Sequence, residues 1–174
     1  MRVRPWTAGD GCATRRGRGG NVLEIFVDAD ACPVKEEIYR IARRHGLRVR
    51  VVSNSWMRVP LDPQLELVVV DKQFNQADDW IAERAGEDDI VISADIPLAA
   101  RCLRNGARVL GPTGRAFTED SIGEALATRE LLATLREAGE ETRGPPPFTR
   151  RDRSRFLQRL DDMIRAIQRR RARG

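Results

Sequence analysis

Apolar and polar positions along this chain fall into short blocks whose period switches between strand-like and helix-like. VLEIFVD, residues 22–28, is an apolar run ending on a carboxylate and predicts a buried strand. PVKEEIYRIARRHG follows it. Pro33 sits in the first turn, Ile38, Ile41 and Ala42 share one face, and Gly46 closes the block, so the segment predicts a helix. LRVRVVS and LELVVVD predict a second and a third strand, and ADDWIAERAG a helix with Ala77, Trp80, Ile81 and Ala85 inward. DIVISAD is the fourth strand, IPLAARCLRNG a short helix and ARVLG the fifth strand. Beyond Gly114, TEDSIGEALATRELLATLREAG predicts a helix opening on Thr118 and an acidic first turn. RGPPPF reads as a rigid linker, and TRRDRSRFLQRLDDMIRAIQRRR as a basic amphipathic helix.

Short Val- and Ile-rich strands alternating with helices predict an α/β fold of three layers. A mostly parallel five-stranded sheet carries helices on both faces, and further helices follow at the C-terminus. The expected organisation is a Gly/Arg-rich disordered extension over 1–22, an α/β domain over 23–142, and a Pro-rich linker with a basic helix over 143–174.

Charge sharpens this division. The net charge of +5 splits into +4 over residues 1–20, −7 over 21–142 and +8 over 143–174. An acidic body between basic ends suits a polyanionic partner such as nucleic acid, although high-GC coding bias also favours Arg. Three scattered cysteines, Cys12, Cys32 and Cys102, make neither a disulfide framework nor a zinc site. The single histidine, His45, falls at a helix end, where a basic residue favours the dipole. No apolar run approaches the roughly 20 residues of a membrane span, and no signal-peptide pattern opens the chain. A cytoplasmic setting without membrane partners is expected.

In a parallel sheet, ligands bind beyond the carboxyl ends of the strands. Asp28 and Asp30 end the first strand, Asp95 ends the fourth, and Asp78 and Asp79 open the helix after the third. Right-handed crossovers place all five at one edge. Such carboxylates repel one another unless neutralised, and an oxygen-only set without His or Cys suits Mg²⁺ or Mn²⁺. Hard cations there polarise phosphoryl oxygens and activate water toward a phosphodiester. Each acid also has a structural explanation: Asp30 and Asp95 as helix caps, and Asp78 as part of a capping box with Asn75. Cys32, at a helix start, is expected to be packing rather than a nucleophile. DxD after a strand also fits a haloacid-dehalogenase-type phosphatase with Asp28 as nucleophile and Asp30 as acid–base. That pattern wants Thr or Val two residues after Asp30, where this chain has Cys32.

FVDADACPVKEEI, VVSNS, ADDWIAERAGEDDIVISADIPLAARCL, RVLGPTGRAFTEDSIGEALATREL and GPPPFTRRDRSRFLQRLD resemble the YaiI/YqxD family of uncharacterised bacterial proteins, over roughly residues 23 to 165. The resemblance implies a fold similar to PIN-like and NYN ribonuclease domains, whose acids stand at the ends of the first and fourth strands and at a helix start. Asp28, Asp30, Asp78 and Asp95 match those places, with Asp79 adjacent. Asn75 stands where relatives carry an acid, and the first twenty-two residues have no counterpart.

The expected function is metal-dependent phosphodiester hydrolysis of RNA, with Asp28, Asp30, Asp78, Asp79 and Asp95 around Mg²⁺ or Mn²⁺. Asn54, after the second strand, would hold substrate or water, or simply make a turn. Arg150, Arg151, Arg153 and Arg155 would contact phosphates, with Phe148 stacking on a base. The same run also reads as a solvated helix face, with Phe148, Phe156, Leu157, Leu160, Ile164 and Ile167 docking it on the body. A non-catalytic RNA- or ribosome-associated binder is the alternative of a different class.

Overall fold

A computed structural model describes residues 4–5, 22–30, 32–71, 75–138 and 146–173. Its strands are β1 (Arg4–Pro5), β2 (Glu24–Asp28), β3 (Arg48–Ser53), β4 (Leu65–Val69), β5 (Ile90–Ile92), β6 (Arg108–Leu110) and β7 (Ala116–Phe117). Its helices are α1 (Lys35–His45), α2 (Gln76–Arg84), α3 (Ile96–Arg104), α4 (Glu119–Glu137) and α5 (Arg150–Arg171). The five expected strands are β2 to β6, and they pair in parallel with one another. Two short strands extend the sheet beyond expectation. β7 returns antiparallel on β6, and β1 pairs with Val68 and Val69 of β4. Two residues each are too short to show a period. The rest of the expected N-terminal extension lies outside the described residues, apart from exposed Val22.

The strand order is β1-β4-β3-β2-β5-β6-β7. The chain therefore builds outward from β2 through β3 to β4, then returns to lay β5 on the other side of β2. β2 and β5 flank the point where the winding direction reverses.

Alternation along the strands serves two cores. Ile25, Val27, Val49, Val51, Ile90 and Ile92 face Ile38 and Ile41 of α1 together with Phe156, Leu160, Ile164 and Ile167 of α5. Phe26, Val52, Val68, Val91 and Val109 face Ala77, Trp80 and Ile81 of α2 and Leu98, Ala99 and Cys102 of α3. The fold is thus α/β in three layers, with α1 and α5 on one face and α2 and α3 on the other. The N-terminal half of α4 leans on the second core through Ile122.

α1 stops at Gly46, whose φ of 66° only glycine adopts cheaply. α5 is a core element. Its four inward residues are fully buried, on the order of 6–12 kcal/mol of transfer free energy before entropy is counted. Phe148 and Leu157 pack at the margin of that core, so the docking face expected for this helix forms.

Ion pairs fix the direction of α5. Arg153 Nη1 meets Glu37 Oε1 at 2.7 Å in the first turn of α1. At the other end, Arg170 and Arg171 pair with Asp88, ahead of β5. His45 Nε2 and Asp161 Oδ1 lie 2.7 Å apart between them, which gives the lone histidine a structural role. Helix α5 therefore starts at the carboxyl edge of the sheet, where α1 begins. No described helix is long and apolar enough to cross a membrane.

Candidate acidic site at the carboxyl edge

Asp28, at the end of β2, sits where the sheet reverses its winding. Its Oδ2 accepts a hydrogen bond of 2.8 Å from Ser93 Oγ, just after β5. The same hydroxyl accepts the Asp95 N–H at 2.9 Å, and Asp95 Oδ1 accepts the Leu98 N–H at 2.8 Å as the N-cap of α3. One serine thus ties the end of β2 to the start of α3. The capping role expected of Asp95 is present and uses only one of its oxygens.

Asp30 does not cap α1. The N-cap there is Val34, with no side-chain hydrogen bond. The Asp30 carboxylate turns instead toward the end of β3. Its Oδ1 takes the Ser53 hydroxyl at 2.5 Å, and its Oδ2 takes the Asn54 N–H at 3.2 Å and Asn54 Nδ2 at 2.9 Å. Asn54 therefore positions Asp30. Asp78 is the third residue of α2, but the capping box expected with Asn75 is not made. Asn75 holds a left-handed φ of 64° and makes no side-chain cap.

These acids share one field. Burial raises the pKa of Asp28, and the charges of Asp30 and Asp95 add to it against the Ser93 hydrogen bond. Asp78 is pushed up to about 6, chiefly by burial, then by the Asp95 and Asp28 charges, with Arg101 opposing. Asp79 is set apart by its ion pair with Arg101 Nη1 at 2.7 Å. Among the described residues, neither oxygen of Asp78 nor Oδ2 of Asp95 takes a hydrogen bond. No three acidic, His or Cys side chains of the described residues are grouped so as to hold a metal ion.

Ser53, Ser93 and Arg101 are the contributors that pattern reading missed. Both serines follow apolar strand runs directly, in VVS and VIS, which is the available signal. Lys35 also reaches this edge, its Nζ donating to the Ala29 carbonyl at 2.9 Å. Cys32 is buried beside it, its thiol pushed up to about 11 by desolvation, which fits packing rather than nucleophilic use.

The basic run is brought to the same edge but divided. Arg150, Arg151, Arg153 and Arg155 lie in the first turns of α5, and the backbone of Arg155 and Phe156 passes close to Gly114, just beyond β6. Arg153 is occupied by Glu37 and lies over the Phe148 ring at 5.7 Å. Arg155 lies 3.6 Å from Asp152. Phe148 is half-buried against the α1/α5 core, so its ring is already packed.

The model of the uncharacterised YaiI/YqxD family (DUF188) matches residues 26–166. Three curated relatives carry the name UPF0178 protein. That of Parvibaculum lavamentivorans is 58% identical over 149 residues, covering 86% of this chain and 98% of the relative. That of Rhodopseudomonas palustris strain BisB18 is 57% identical over 145 residues, 83% and 94% respectively. That of Rhodospirillum rubrum is 55% identical over 148 residues, 84% and 99%. No solved structure matches the chain. The motifs that build the acidic edge lie within the matched span, and the chain belongs to the YaiI/YqxD family.

Proposed function

We propose that this protein is a divalent-cation-dependent phosphodiesterase acting on RNA, with a PIN-like arrangement of acids. The observation that supports this most is the meeting of Asp28, Asp30, Asp78 and Asp95, from separate segments, at the reversal point of a parallel sheet, in a field that pushes Asp78 to about 6. Their donors are all oxygen, and free oxygens remain on Asp78 and Asp95, which fits Mg²⁺ or Mn²⁺. No three acidic, His or Cys side chains of the described residues are grouped to hold a metal ion, so the site proposed is one in which one or two carboxylates hold the cation with water and substrate phosphates. When bound, the cation supplies charge for the phosphoryl oxygens and lowers the pKa of attacking water. The chain's own residues do the rest. Ser93 and Ser53 orient Asp28 and Asp30 through hydrogen bonds of 2.8 and 2.5 Å. The α5 N-terminus offers Arg150 and Arg151 to phosphates.

Calorimetric titration with Mn²⁺, on wild type and on Asp28→Asn combined with Asp95→Asn, tests this, followed by single-stranded RNA cleavage. Binding and cleavage by the wild type, both lost in the folded double variant, are expected. A folded wild type that neither takes up Mn²⁺ nor cleaves RNA refutes the proposal. The lack, among the described residues, of a group of three side chains able to hold a metal ion favours one second reading, a non-catalytic RNA binder. It would retain salt-dependent RNA binding unaffected by Asp28→Asn and show no cleavage. Turnover of small phosphomonoesters with no effect on RNA would instead mark a phosphatase.

A further inference from the structure

The connection between β3 and β4 leaves the acidic edge at Asn54, which holds Asp30. From there its side chains alternate. Met57 and Val59 pack into the core beneath α1 and α5, whereas Trp56, Arg58 and Pro60 point outward. The far end is pinned by Asp62, which pairs with Arg43 at 3.0 Å and takes the Gln64 N–H at 2.9 Å. Trp56 is 63% exposed on this anchored backbone. The indole has more apolar surface to gain from burial than any other side chain. Trp80, by contrast, is buried against Phe26 with Arg84 over its ring. Trp56 stands two residues past Asn54, no more than about 7 Å of extended chain and about one nucleotide of a single strand. Beside it Arg58 is exposed and has no acidic partner among the described residues. An open aromatic face next to a guanidinium without an acidic partner among the described residues, at the rim of the acidic edge, is the pair that single-stranded nucleic acid uses.

We propose that Trp56 stacks on a base of single-stranded RNA whose neighbouring phosphate lies at the Asp28–Asp30 edge, with Arg58 on the adjoining phosphate. This rests on the RNA reading above, and it assigns to Trp56 the stacking role that sequence pattern suggested for Phe148. A fluorescein-labelled oligouridylate in Ca²⁺ buffer, followed by anisotropy, is the test. Trp56→Ala weakens binding about 5- to 150-fold, and Trp56→Phe keeps most of it. Replacing the uracils by abasic ribose weakens the wild type by a similar factor and leaves Trp56→Ala unchanged. Equal affinities of wild type and Trp56→Ala, or an equal abasic penalty in both, overturn the stacking role while leaving the RNA reading intact. A wild type that binds no oligouridylate overturns both.

Discussion

Replacing Asp78 by Asn should stabilise the cation-free protein at alkaline pH. Burial, and then the Asp95 and Asp28 charges, push the Asp78 carboxyl up to about 6 in the fold, against the usual 3.8. A raised carboxylate favours the folded state only while protonated. That contribution is complete below 3.8 and lost as pH rises through about 6. At pH 8 the ionised group costs the fold at most about 3 kcal/mol, and solvent screening of a group in contact with water cuts this to about 1.5 kcal/mol. The Asp78→Asn variant forgoes one favourable term, the acid at the N-terminal turn of α2, worth about 0.5 kcal/mol. Relief of the buried charge, chiefly of its desolvation and then of its repulsion by Asp95 and Asp28, is the larger effect. The net gain of about 1 kcal/mol raises Tm by about 2–4 °C for a chain of this size. Thermal unfolding in EDTA, at pH 8 and again at pH 4.5, reads both quantities. The gain at pH 8 should shrink on the acid side, where the wild-type carboxyl is protonated. A variant no more stable than wild type at pH 8, or one with the same gain at both pH values, refutes the reasoning.

Two further substitutions probe the supports of the site. Ser93→Ala removes the hydroxyl shared by Asp28 and the Asp95 N–H, and should lower Mn²⁺ affinity at least about tenfold in calorimetry, with the fold retained. Unchanged affinity would show that Ser93 does not orient these acids toward a cation. Gly114→Ala would set a Cβ 2.8 Å from the Phe156 nitrogen and 2.9 Å from the Arg155 carbonyl carbon, at a φ of 81°. It should cost about 2–4 kcal/mol in urea unfolding and loosen the start of α5 in hydrogen exchange. A loss below about 1 kcal/mol would mean that α5 shifts freely at this crossing.

Sequence periodicity alone determined much of this protein. Strand and helix blocks depend on neighbours a few residues apart, so β2 to β6 and the helices from PVKEEIYRIARRHG onward were legible. Parallel strands then carried the terminal acids Asp28 and Asp95 to one edge. The apolar stripe of α5 foretold its docking, and Thr118 and Thr149 do start helices. Tertiary packing decided the rest, because hydrogen bonds across the sheet depend on register between distant segments. Ser93 meets Asp28 across 65 residues and Ser53 meets Asp30 across 23, so Asp30 turned away from the helix that its local spacing suggested. Arg153 and Phe148 looked like a nucleic-acid surface in one dimension. Once α5 lies along α1, Glu37 and the core claim them, and among the described residues Trp56 is an exposed aromatic two residues from Asn54. Local chemistry set which groups this chain could bring to a site, and long-range packing set which of them remain free to act.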